Sequence, residues 1–393
     1  MKNLVTLFLA ACLSFPVFSQ TLYYYPPGYF GLLNNQLTSA RSQAMGFTTL
    51  TKGGIENSFY NPAAIGNTGV PVQVYANYAN GHSYRPDSHY YFVGGAYKIN
   101  PKLAIGLSYF TYRNPDPVWT TIIGGVTYDT DFFAQSVLSA VVSYQIFEEL
   151  EMGLGINLME ENAINGEQTN SDFMPSVGFQ YEKELPLIKS ESFENQRIKG
   201  ALSLTNFLFK NTTLQTYENS VSVEYLPIIL RIGAGYQFDT SLKSGWIVDK
   251  GYFQNSPQQV RFSLDVQYQD YLKGSDAPTT DHESNTAFGV GAEAWFFERL
   301  AVRLGYFNEK GPSGTKDTGE LWVTGNRAGF TWGYGTLIPT NQLTGGKMPF
   351  DIQVDFITAK QLSSLNEEIY THPNVFTENT FQFSFGLNLL WRK

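Results

Sequence analysis

Cysteine is almost missing from this chain: 393 residues hold one, Cys12, and it falls in the leader described below. A mature chain without cysteine has no disulfide framework, no thiol nucleophile and no cysteine-ligated metal. Long apolar runs are missing too. Beyond residue 20 no stretch reaches the ~18 consecutive apolar residues of a membrane helix. Charge is scarce, at 16% of residues, where a soluble domain carries about 25%. The balance is acidic, with a net charge of −9, which works against a phosphate-backbone partner. Catalytic and ligand motifs are absent as well. His82, His89, His282 and His372 show no metal-ligand spacing, and Gly345-Gly346-Lys347 lacks the rest of a phosphate loop. Gly311-Pro312-Ser313-Gly314 reads as a turn, not as a nucleophile elbow. No catalytic residue, cofactor site or metal site can be assembled, so the chain is expected to be non-enzymatic.

What the chain has in abundance is rings: 25 Tyr and 30 Phe. Its mean hydropathy is nevertheless only −0.21, too polar for a bundle of membrane helices. Residues 1–19 read as a signal peptide, with Lys2 as the basic start and Leu4 to Val17 as the apolar stretch. Val17 and Ser19 then stand at −3 and −1 of a cleavage before Gln20. Leu9-Ala10-Ala11-Cys12 also matches a lipobox, in which Cys12 would be lipidated.

Period-two alternation is the strongest signal. Phe381, Phe383, Phe385, Leu387, Leu389 and Trp391 alternate with Gln382, Ser384, Gly386 and Asn388. Val260, Phe262, Leu264, Val266 and Tyr268 alternate with Arg261, Ser263, Asp265, Gln267 and Gln269. Such runs are strands with one apolar and one polar face. They recur near 72–79, 90–99, 103–112, 133–146, 150–159, 173–182, 198–208, 228–238, 260–271, 286–297, 300–308, 326–336, 350–358 and 379–391. Most approach the ~9–11 residues that a tilted strand needs to cross a bilayer. Only a closed barrel can place strands in lipid without unpaired backbone. The expected fold is therefore all-β, a transmembrane antiparallel β-barrel of about 14 strands.

Connection lengths agree with that parity. Tight turns fall at Asn100-Pro101-Lys102, Phe147 to Glu149 and Glu298-Arg299, all on one side. Longer connections follow the odd-numbered strands, as in outer-membrane barrels. Lys183 to Arg197 and Asp239 to Gln259 break the pattern. Glycines dominate many inward positions (Gly153, Gly155, Gly233, Gly235, Gly289, Gly291, Gly329, Gly333, Gly335), which marks close approach of another backbone. The same parity turns Arg231, Arg261, Asp265, Glu293, Arg303, Arg327, Asp351 and Asp355 into the lumen of strands eight to thirteen. They are expected to pair across strands and with a plug.

Residues 20–70 lack alternating strands, so the chain divides into a signal peptide (1–19), a plug segment (20–70) and a barrel (71–393). The plug region carries Ser39-Ala40-Arg41-Ser42-Gln43-Ala44-Met45-Gly46-Phe47, then Glu56-Asn57-Ser58-Phe59-Tyr60 and Asn61-Pro62-Ala63. These stretches resemble the FadL-like outer-membrane barrels and, within them, the PorV/PorQ group of Bacteroidetes. Leu226-Pro227 to Gly233, Phe288 to Trp295 and Leu300 to Tyr306 resemble further strands of that group. Asn61-Pro62-Ala63 matches fully, while Gly46-Phe47 departs from a doubled glycine. The resemblance implies a fourteen-strand barrel with its N-terminal segment in the lumen. It also implies a role in type IX secretion, with secretion-system proteins or exported cargo as partners. The alternative is a FadL-like channel for a hydrophobic small molecule, which a greasy lumen near the plug would favour. The inward positions assigned here are glycine-rich and charged, which leans toward secretion.

The signal peptide and the strand pattern place the protein in the outer membrane. It should fractionate with outer membranes and migrate faster on a gel when unboiled. Recovery as a soluble periplasmic protein would exclude a barrel.

Overall fold

The computed structural model describes residues 21–22, 39–82, 85–114, 119–123, 126–130, 133–162, 169–188, 192–207, 228–242, 251–272, 286–310, 313–315, 321–323, 327–365 and 381–391. The signal peptide, Cys12, His282 and His372 lie outside them. Fourteen strands form the wall: β1 (Val72–His82), β2 (Arg85–Asn100), β3 (Leu103–Asn114), β4 (Phe133–Phe147), β5 (Leu150–Asn162), β6 (Thr169–Glu184) and β7 (Glu194–Thr205) make one half. β8 (Ile228–Ser241), β9 (Gln259–Leu272), β10 (Thr286–Phe296), β11 (Leu300–Lys310), β12 (Arg327–Ile338), β13 (Phe350–Leu365) and β14 (Phe381–Trp391) make the other. Each strand pairs antiparallel with its neighbours in sequence order, and β14 closes on β1 with Leu387 opposite Ala76. The fold is a closed, fourteen-strand antiparallel barrel. Every expected run is one of these strands, although β2 begins at Arg85, so most of the loop expected after β1 is strand instead.

The faces follow the alternation. Leu107 and Tyr334 are both 58% exposed on the outside, and Val93, Leu154, Ile232, Val302 and Leu304 stand out likewise. At the alternate positions Phe92, Phe110, Ser139, Arg231 and Arg303 point inward and are buried. A soluble sandwich would bury the apolar face. Here the apolar face is the outer one, as lipid requires.

One end carries the short turns. Asn100 Oδ1 accepts from the Lys102 and Leu103 amides at 2.9 and 3.0 Å, closing the β2–β3 turn as an Asx motif. The β10–β11 turn is centred on Phe297 and Glu298, one residue earlier than expected, and both have φ of 56°. Such mirror-image hairpin turns normally call for glycine or asparagine. Tertiary contacts hold this one. Phe297 meets Phe253 edge-on at 5.9 Å, and Glu298 accepts from Arg261 at 2.9 Å. That explains the long β8–β9 connection. Its residues 251–258 fold under the barrel, and Tyr252 Oη donates to Arg299 O at 2.9 Å. The long β6–β7 connection is likewise tied in, by Gln196 Nε2 donating to Ile188 O at 2.7 Å.

Phe385 lies on the outer face at mid-strand, 39% exposed. Phe385→Arg should cost about 2–4 kcal/mol in lipid, and Phe385→Leu little, measured by urea unfolding of the reconstituted barrel. Equal costs would place this face away from lipid.

Candidate functional site

Residues 39–70 lie within the barrel and run from one wall to the other. Ser39 caps α1 (Ala40–Ala44) by accepting from the Ser42 amide at 3.2 Å. A glycine turn follows, then a one-turn 3₁₀ helix at Ile55–Asn57 and another at Pro62–Ile65. From Ser39 to Ile65 nearly all of these side chains are buried. The barrel wall supplies its surroundings.

The wall glycines are the seats. A side chain on Gly291 would collide with the Met45 carbonyl, one on Gly289 with the Gly46 carbonyl, and one on Gly305 with the Gly46 amide. Gly46 itself has φ of 65° and lies against the Val290 and Tyr306 carbonyls, so no larger residue fits. Across the lumen, Gly153 and Gly178 face Pro62 and Asn61 in the same way. Asn61 Oδ1 accepts from the Ala63 amide at 3.1 Å and Pro62 occupies the first position of the turn, where its missing N–H costs nothing. Asn61 Nδ2 also donates to Phe179 O at 3.2 Å on the wall.

Polar side chains complete the seat. Gln267 Oε1 accepts from the Thr49 and Leu50 amides at 2.8 and 3.2 Å. Gln180 Nε2 donates to the Leu50 and Lys52 carbonyls, and Ser203 Oγ to Tyr60 O at 2.6 Å. Gln73 accepts from the Ile55 amide at 2.9 Å and donates to Glu56 at 2.8 Å. Burial pushes the Glu56 carboxyl up to about 7, against its backbone hydrogen bonding and the Arg41 charge.

An ion ladder crosses the interface. Arg41 grips Glu293 with two nitrogens, at 2.8 and 2.5 Å. Glu293 also receives Arg303 Nε at 2.6 Å, and Arg303 Nη1 lies 2.8 Å from Asp355. Lys52 Nζ reaches Asp265 at 2.6 Å, and Thr51 donates to the same carboxylate. Arg231 donates to Gln269 and Thr205, and its guanidinium lies over the Tyr60 ring at 5.1 Å. Glu293, Arg303, Asp265, Asp355 and Arg231 thus gather around residues 39–70. Arg261 instead binds Asp239 and Glu298, and Asp351 accepts from the Asn341 amide, both at the turn end. Arg327 occupies its expected strand position opposite Ser363, and its side chain lies outside the described residues.

The lumen has a second character that the sequence analysis missed. On β1–β3, Tyr75, Tyr90, Phe92, Phe110 and Tyr112 point inward, and toward the loop end Val137, Met159 and Met174 of β4–β6 join them in one buried cluster with Phe59 and Tyr60. Tyr90 lies 4.9 Å from Tyr112 and 6.3 Å from Phe110, ring to ring. The signal was present at Tyr90-Tyr91-Phe92-Val93, an unbroken apolar run that marks a strand apolar on both faces. A glycine-rich, charged inner face was expected throughout; on β1–β3 rings line it instead, while β5 and β6 carry the glycines Gly153 and Gly178. Toward the turn end the segment and wall enclose a polar vestibule of about 640 Å³, lined by Arg41, Lys52, Glu56, Lys199, Asp239 and Glu293 among others.

No family model and no curated protein matches the sequence. Among solved structures, a FadL homologue of Pseudomonas aeruginosa aligns with 91% of this chain and 98% of its own, at 11% identity and a TM-score of 0.51. The Pseudomonas putida toluene transporter TodX aligns with 89% of this chain and 96% of its own, at 10% identity and a TM-score of 0.43. The chain has the fold of an outer-membrane β-barrel of the FadL type.

Glu293→Gln should remove one carboxylate from two guanidiniums, one of them, Arg303, fully buried. It should lower stability by about 3 kcal/mol or more, seen as loss of the folded gel band at a lower temperature. An unchanged melting profile would mean that the ladder adds nothing to the seat.

Proposed function

We propose that this protein is a non-enzymatic outer-membrane channel that passes a hydrophobic small molecule, with residues 39–66 as its plug. The observation that carries the reading is the aromatic wall of β1–β3, extended by Val137, Met159 and Met174, against Phe59 and Tyr60. Rings and thioethers on an inward barrel face have no use for a water-filled pore, and they suit an apolar solute. The polar vestibule on the other side of the plug matches an exit into water. Asn61-Pro62-Ala63 turns the chain on its glycine seat, and the Arg41–Glu293 pair anchors the opposite end. The FadL-type fold supports the same reading. A PorV/PorQ-type role in protein secretion, with exported cargo or secretion proteins as partners, rests on the short motifs alone.

The test uses N-phenyl-1-naphthylamine as probe, with the purified full chain in proteoliposomes. The intact barrel should speed entry of the probe, and Phe110→Arg should slow it about tenfold or more by placing an unpaired charge in the aromatic wall. Deleting residues 39–66 should raise single-channel ion conductance well above that of the intact protein. Probe entry at the rate of empty liposomes would overturn the channel reading, and equal conductance would overturn the plug.

A further inference from the structure

The outer face of the barrel carries a feature that the transport reading does not use. Across β14, β1, β2 and β3, one row of outward residues runs Leu387, Ala76, Val93 and Tyr109, each directly opposite the next. The next row toward the loop end begins Phe385, Tyr78, Tyr91. Ala76 is the small member among large neighbours, and the result is an apolar notch of about 350 Å³ on the lipid side. The ladder beneath it is unbroken, so the notch is a depression in the wall and not an opening through it.

One row further toward the loop end the chemistry changes. His89 stands opposite Arg113, and Arg113 is exposed on the same face as Leu107 and Tyr109. Tyr78 Oη and His89 Nδ1 are 2.9 Å apart, and the Tyr78 and His89 rings stack at 5.8 Å. This leaves Nε2 as the ring nitrogen not engaged by Tyr78. His89 and Val93 are four residues apart, so the cationic rim lies ~13 Å above the notch. A fixed cation at the interface, aromatic side walls and an apolar notch below match an amphiphile with an anionic head and a chain. The notch continues the lipid-facing belt, so what covers it is lipid.

We propose that this face holds one phosphorylated acyl lipid, with a phosphate at Arg113 and His89 and an acyl chain in the notch over Ala76. The loops mark this end as the outer one, and the phosphorylated lipid of the outer leaflet of an outer membrane is lipid A. The site is independent of the channel, since none of its outward side chains faces the lumen.

Native mass spectrometry of the full chain in mild detergent tests it, with lipid A, phosphatidylglycerol and phosphatidylcholine as probes. The wild type should retain one lipid A about fivefold better than phosphatidylcholine, and Arg113→Glu should abolish that preference. Ala76→Trp should fill the notch and release lipid A while the barrel still shows its folded gel band and passes the naphthylamine probe. Equal retention of lipid A and phosphatidylcholine by the wild type, a comparison that needs no variant, would overturn the site. Phosphatidylglycerol held as firmly as lipid A would overturn the choice of lipid.

Discussion

Everything in this structure depends on the closure of β14 against β1. Lipid offers no hydrogen bonds, so a strand edge left open there would cost several kcal/mol for each unpaired group. The ladder from Phe383 opposite Asn80 to Trp391 opposite Val72 removes that edge. Once the wall is closed, its two faces meet different solvents. The outer face must be apolar throughout, and the inner face is free to differ from one strand to the next.

The inner face uses that freedom. On β8–β13 it combines glycines with charged residues, and the N-terminal segment lies backbone to backbone on those glycines. Removing a side chain from the wall brings the segment's own carbonyls and amides within reach of wall side chains such as Gln267 and Thr331. Buried charge follows from the same contact. Glu293 and Arg303 are fully enclosed, and each is tolerable only because Arg41 and Asp355 complete the series. On β1–β3 the inner face is aromatic, and the same segment presents Phe59, Tyr60 and Ile55 to it. One short segment therefore matches two opposed chemistries, which explains why it has a fixed place without strands of its own.

This division gives the lumen a direction. An apolar region lies toward the loops and a charged vestibule toward the turns, with residues 39–66 between them. Wall and segment are joined by hydrogen bonds and ion pairs that can exchange partners with water, not by packed hydrocarbon alone.

The sequence by itself determined the strands, their number and which side of each faces lipid. Those features are local: alternation is written within ten residues, and a closed barrel must show one apolar face to the bilayer. It also raised the expectation of a turn at Asn61-Pro62-Ala63 and of inward charges on strands eight to thirteen. Which charges meet which partners was decided only by tertiary structure. Arg41 and Glu293 are 252 positions apart, and nothing in the period of either segment relates them. The same holds for the turn at Phe297-Glu298, where packing under Phe253 overrides the local preference for glycine. The aromatic wall was half legible. The run at Tyr90 to Val93 announced two apolar faces, but that its inner rings gather with those of β3 and with Phe59 follows from strand register, which alternation within a single strand does not contain.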